Sequence, residues 1–188
     1  MPRPRSIVAP LLPILLGGVL LTGCSASGPR VHEAPTGPAA ANATTAPLLP
    51  RTTDALPDID PEGFETLLGQ LEGTPIIVNF WGSWCAPCRE EAPELRAAAE
   101  RYGDRIQFLG VDILDERTSA AAFIAEMGWA YPSVFDPTGA VRDDLGFTGQ
   151  PVTLFYDAEG RLVHERQGAI PPDDLAAGIE RILPGSST

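Results

Sequence analysis

An α/β domain, with a mixed central sheet flanked by helices, is predicted by three observations in the sequence. An apolar-rich run at 76–80 leads directly into a helix-forming stretch, as a strand covered on both faces does. A second run at 106–111 arrives after that helix and completes a βαβ unit with a parallel strand pair. Two further strand-like runs, 152–156 and 162–167, are joined by Asp157-Ala158-Glu159-Gly160, whose turn chemistry makes a hairpin.

The elements follow in order. Asp60-Pro61 reads as an N-cap followed by proline at the first helical position, and Phe64, Leu67, Leu68 and Leu71 recur at helical spacing until Gly73-Thr74-Pro75 breaks the helix. The helix after the strand at 76–80 should run to about Tyr102, bury Leu95, Ala98, Ala99 and Tyr102, and kink at Pro93. Residues 118–127 should form a helix with Phe123, Ile124 and Met127 inward and Gly128 as its stop, and 131–136 a short strand before a Pro-Thr-Gly turn. A last helix over 173–183 places Leu175, Ile179, Ile182 and Leu183 on one face, and Pro184 ends it.

Chemistry concentrates between the first strand and its helix, in Trp84-Cys85-Ala86-Pro87-Cys88. A cysteine at a helix N-terminus sits among unpaired N–H groups at the positive end of the dipole, which stabilises its thiolate; a second cysteine one turn along can reach its sulfur. Cys85 is therefore the expected attacking thiol and Cys88 the resolving one. The same spacing also suits half of a tetrahedral zinc site, but that needs two further ligands. The chain supplies only Cys24, His32 and His164 besides, the first two in an N-terminal stretch that reads as processed or unfolded. His164 falls inside a strand and reads as a half-buried or surface residue. Neither a metal nor a cofactor is expected.

With these residues in view, the chain resembles the thioredoxin superfamily. The longer match, Val78-Asn79-Phe80-Trp81 through Cys88-Arg89-Glu90-Glu91-Ala92-Pro93, is similar to the membrane-tethered TlpA/ResA-like thiol–disulfide oxidoreductases. The resemblance implies a thioredoxin fold with a TlpA/ResA-type helix–strand insertion, here 118–136, which in that branch lies near the active site and shapes partner choice. It implies that Pro151 is cis and lies beside the redox pair, and that Gln150 before it borders the extended substrate and tunes the disulfide. Trp84 and Pro87 would add a flat apolar platform. Where thioredoxins carry a buried aspartate this chain has Asn79, which cannot move a proton; the branch instead has a glutamate just past the second cysteine, where Glu91 stands. Glu91 is expected to serve as the acid–base group, against the plainer reading of a solvated carboxylate in an acid-rich first turn.

The implied activity is protein-disulfide reduction outside the cytoplasm, often of the haem-attachment cysteines of apocytochrome c, by a monomer recharged from a membrane carrier of the CcdA/DsbD kind. An oxidase running the same chemistry in reverse is the alternative, and a copper-binding chaperone is the alternative of another class. Copper chaperones on this fold use C-x-x-x-C with a distal histidine, which the two-residue spacing disfavours. A peroxidase would need a T-x-x-C signature, which the chain lacks.

Composition narrows the field further. All 13 basic residues are arginine, so lysine-based covalent chemistry is excluded. From Pro57 onward nine arginines face 23 acidic residues, a net of −14, which rules out the basic stripe that nucleic acids require and disfavours anionic lipid surfaces.

The first residues supply another means of attachment. Arg3 and Arg5 precede an apolar run, 7–21, that is short and interrupted by Pro10 and Pro13; Leu21-Thr22-Gly23-Cys24 then resembles the lipobox of bacterial lipoproteins. The expectation is a signal peptide over 1–23, a lipidated Cys24 and a cell-membrane anchor on the extracytoplasmic face, with an ordinary secretory signal as the competing reading. Residues 24–56 are expected to be a tether, too rich in Ala, Pro, Thr and Gly to bury a core, with an end-to-end reach on the order of 30 Å. The thioredoxin-like domain is expected over 57–188.

Overall fold

The strand Ile76–Trp81 (β1) lies at the centre of the sheet, and all six of its residues are buried. In the computed structural model, residues 46–183 are described; Cys24, His32, the expected signal peptide and most of the expected tether lie outside them. The elements run α1 (Pro61–Gln70), β1, α2 (Ala86–Tyr102), β2 (Gln107–Ile113), α3 (Arg117–Met127), β3 (Ser133–Asp136), α4 (Ala140–Asp144), β4 (Val152–Tyr156), β5 (Leu162–Gln167) and α5 (Pro172–Ile182). The sheet order is β3-β2-β1-β4-β5. β1 and β2 are parallel, as are β2 and β3, whereas β4 is antiparallel to both β1 and β5. This is the mixed sheet of the thioredoxin fold.

Because side chains alternate across a strand, β1 feeds two cores. Ile77 and Trp81 join Leu95 of α2, Phe123 of α3 and Ile179 of α5 on one face; Ile76, Val78 and Phe80 join Phe64 and Leu67 of α1 and Val141 of α4 on the other. Each such fully buried aliphatic or aromatic side chain contributes roughly 1.5–3 kcal/mol of transfer free energy. The local signals act as expected. Asp60 caps α1 by accepting from Gly63 N at 2.8 Å, and Gly128 ends α3 with a left-handed φ of 61°. α2 continues through Pro93, which lacks the N–H that would bond the carbonyl four residues back.

Several boundaries differ from the sequence reading. β2 extends to Ile113 because Asp112 and Ile113 pair with Phe135 and Asp136. β3 starts only at Ser133; Pro132, without an N–H, contributes its carbonyl to Gly110 N instead. α4 was not anticipated, since its five residues contain a single large apolar side chain, Val141. The folded body also begins before residue 57. Leu48 and Leu49 pack on the α1-side core, Leu48 N–H donates to Gln70 Oε1, and Leu56 is buried. Residues 57–59 hydrogen-bond along the outer edge of β3, so part of the expected tether is held on the domain.

Candidate active site

Cys85 is the N-cap of α2, with extended backbone angles, and its Sγ accepts from Cys88 N–H at 3.3 Å. Ala86 and Pro87 fill the first two helical positions, where proline's missing N–H costs nothing. Cys85 and Cys88 are joined as a disulfide with an S–S distance of 1.99 Å. Both sulfur-bearing residues are buried in this state, at 4% and 1% exposure. Trp84 beside them is 55% exposed, its indole N–H held by the Leu114 carbonyl at 3.0 Å. Pro87 is exposed as well.

The Gln150–Pro151 peptide is cis. β1 and β4 pair with Phe80 opposite Val152, so extending that antiparallel register sets Pro151 and Gln150 beside Trp81 and Gly82, where the chain enters the redox loop. Gln150 Oε1 accepts from Arg142 Nη1 at 3.0 Å. A guanidinium has only donors, so it fixes the amide with its oxygen turned inward. Arg142 comes from α4 and was not legible as a site residue.

Glu91 lies one helical turn beyond Cys88 on the buried side of α2 and is only 3% exposed. Its Oε1 accepts from Asn79 Nδ2 and its Oε2 from the backbone N–H of Ile170, each at 2.8 Å. Burial pushes its pKa up from 4.5 to about 7, against the lowering effect of those two hydrogen bonds. The plainer reading, a solvated glutamate, does not hold. Asn79 gives its amide N–H groups to Glu91 and, at 3.2 Å, to Thr153 Oγ1, while its Oδ1 has no partner. The chain therefore places at this point a carboxyl that can exchange a proton near neutral pH.

His164 is half-buried against the Phe155 ring, with Nε2 2.9 Å from Asp174 Oδ1 and Nδ1 facing Arg181. It is a strand residue in a polar network, away from the redox loop. Among the described residues no group of three or more His, Cys, Asp or Glu side chains is arranged to hold a metal ion, and no helix is long and apolar enough to cross a membrane.

The chain matches known proteins along most of this body. It is 36% identical over 117 residues to the thiol:disulfide interchange protein HelX of Rhodobacter capsulatus, a match covering 62% of this chain and 65% of HelX. It is 37% identical over 134 residues to the thiol:disulfide interchange protein DsbE of Allochromatium vinosum, covering 69% and 71%. The chain thus spans just under two thirds of HelX and somewhat more of DsbE. Among solved structures, a DsbF homologue from Corynebacterium diphtheriae superposes with a TM-score of 0.56 at 29% identity, over 61% of this chain and 75% of that one. The model of the AhpC/TSA family matches residues 50–165, more than half of the chain and all of the redox site, and the chain belongs to that family.

Proposed function

We propose that this chain is an extracytoplasmic thiol–disulfide oxidoreductase that reduces disulfides in partner proteins. The observation that carries the reading is the disulfide at the N-terminus of α2 with the buried, hydrogen-bonded carboxyl of Glu91 one turn beyond it. In the reduced protein the Cys85 thiolate, stabilised by the helix terminus, attacks a substrate disulfide; a Cys85–substrate bond forms and one substrate thiolate leaves. Cys88 then gives its proton to the Glu91 carboxylate, and its thiolate attacks Cys85 Sγ. The second substrate thiol is released and the Cys85–Cys88 disulfide remains. Trp84 and Pro87 form the exposed apolar platform for the partner, and Gln150 and Pro151 border its extended segment.

The negative charge of Glu91 disfavours a neighbouring thiolate, which makes the pair a weaker oxidant and supports the reductase direction. HelX and DsbE are named for thiol:disulfide interchange, and that supports the same chemistry here. In our reading the chain is a monomer anchored through a lipidated Cys24. It keeps apocytochrome c thiols open and receives electrons from a membrane dithiol carrier of the CcdA/DsbD kind. The test is a Cys88→Ala variant in native membranes, which should accumulate mixed disulfides whose partners can be identified, while Cys85→Ala accumulates almost none. Equal trapping by both variants, or faster alkylation of Cys88 than of Cys85 at mildly acid pH, overturns the assignment.

A further inference from the structure

The loop entering the redox helix is held by the stretch that follows β2. Ser83 donates its backbone N–H to Asp115 Oδ2 at 2.5 Å and its hydroxyl to Asp115 Oδ1 at 2.9 Å, and the Trp84 indole bonds to the Leu114 carbonyl. Leu114 adopts a φ of 53°, in the left-handed region that non-glycine residues enter at a cost. Gly82 leaves no room for a Cβ, which would lie 2.9 Å from Trp84 Nε1 and 3.3 Å from the Ile113 carbonyl. The position of 82–84, and hence of Cys85, is thus set by 113–115.

Immediately before that clamp stands Asp112, 0% exposed, with neither carboxyl oxygen meeting a donor. An ionised carboxylate in such a place is costly. Asp115, three residues on, acts on it both as a like charge and as a hydrogen-bonding carboxyl. Two carboxyls in contact, with no donor from elsewhere for the buried one, are stable when one proton lies between them.

The other surroundings do not change this. Arg117, at the start of α3, attracts the charge of Asp112 but is engaged with the Leu56 carbonyl and Asp58 and lies 4.2 Å over the Phe135 ring. Asp136, beyond Phe135 on β3, uses its oxygens on Thr138, Gly139 and Val141. β1 presents the neutral indole of Trp81, and Arg89 of α2 pairs with Glu126 of α3. Glu91 of α2 is bonded to Asn79 and Ile170. Burial first, and Asp115 second, push the Asp112 pKa up to about 8.

We propose that Asp112 and Asp115 are a proton-sharing carboxyl pair that positions the active-site loop, the Asp112 O–H donating to Asp115 while Asp115 holds Ser83 and through it Cys85. Loss of the shared proton sets two like charges beneath the loop and loosens the hold on Ser83. The role is one of positioning, and its effect on reactivity rests on the reading of Cys85 as the attacking thiol.

The test separates the two. In the disulfide form neither cysteine titrates, so the backbone N–H of Ser83 and the indole N–H of Trp84 can be followed by NMR between pH 5 and 9.5 in the full chain, as wild type, Asp112→Asn and Glu91→Gln. Both resonances should shift together with a midpoint near pH 8 in wild type and in Glu91→Gln, and that step should vanish in Asp112→Asn. In the reduced form the Cys85 alkylation profile should carry an inflection in the same range that Asp112→Asn lacks. A wild type without the step, or an Asp112→Asn that keeps it, overturns the proposal. If Asp112→Asn does not fold, Ser83→Ala keeps the acid pair and removes one of its two bonds to the loop. The Trp84 step should then shrink, and an unchanged step overturns the proposal. An NMR step as expected alongside a failed Cys88→Ala trap leaves the pair standing and removes the redox reading instead.

Discussion

Replacing Glu91 by glutamine removes one buried titration and leaves the shape of the site in place. In the folded protein the Glu91 pKa is raised from 4.5 to about 7. Between these values the unfolded chain has released the proton that the folded chain retains. This contribution to stability is therefore complete below pH 4.5 and lost as pH rises through about 7, with a slope of up to about 1.4 kcal/mol per pH unit and a total of about 3 kcal/mol. The substituted amide does not titrate. Its side-chain oxygen can still accept from Ile170 N–H, and its NH₂ can donate to Asn79 Oδ1 after an amide flip, exchanging one unpartnered amide atom for another. The variant should therefore gain about 3 kcal/mol on the wild type between pH 4 and pH 8, or on the order of 10 °C in Tm. Urea unfolding of both disulfide forms at several pH values measures this. Asp112 titrates in both proteins, so its contribution cancels in the difference. In the reduced form the Cys85 thiol should titrate lower in the variant, and exchange with a glutathione or dithiothreitol buffer should slow. Stability curves that stay parallel from pH 4 to pH 8 would refute the buried-carboxyl reasoning, and unchanged alkylation and exchange would refute its link to the thiols.

Two further predictions concern the anchor and the core. Cys24→Ala should abolish incorporation of labelled lipid and block lipoprotein processing, and lipid still incorporated by that variant refutes the anchor. Gly110→Ala would place a Cβ 2.2 Å from Ser133 Oγ and 2.7 Å from Trp81 Nε1; overpacking of this kind costs about 1–3 kcal/mol. Its urea midpoint should fall with an unchanged m-value, and a midpoint equal to that of the wild type shows that β2 and β3 can spread at no cost.

The parts of the fold that were legible are those whose signals are local. Asp60 with Pro61, the spacing of Phe64 and Leu67, the continuous burial of β1 and the turn before β5 each act within a few residues of themselves, and each produced the element expected. α4 was missed because five residues with one large apolar side chain carry no period to detect. That Leu48, Leu49 and Leu56 pack on the domain was not legible, because they sit in a stretch with no periodicity; what holds them is α1 and the two cores.

The order of residues along the chain was enough to place a cysteine pair at a helix N-terminus after a buried strand, and a glutamate one turn on. It could not set the protonation of the carboxyls, because desolvation depends on what packs over a group and not on its neighbours along the chain. Glu91 is closed in by Asn79 and by Ile170, 79 residues away. Asp112 and Asp115 read along the chain as part of a short acidic run after a strand. Only the folded molecule, in which β3 pairs along β2 and the redox loop meets the stretch after it, buries the first completely and ties the second to Ser83. A carboxyl's charge follows from the solvent it loses, and that loss is a property of the folded molecule.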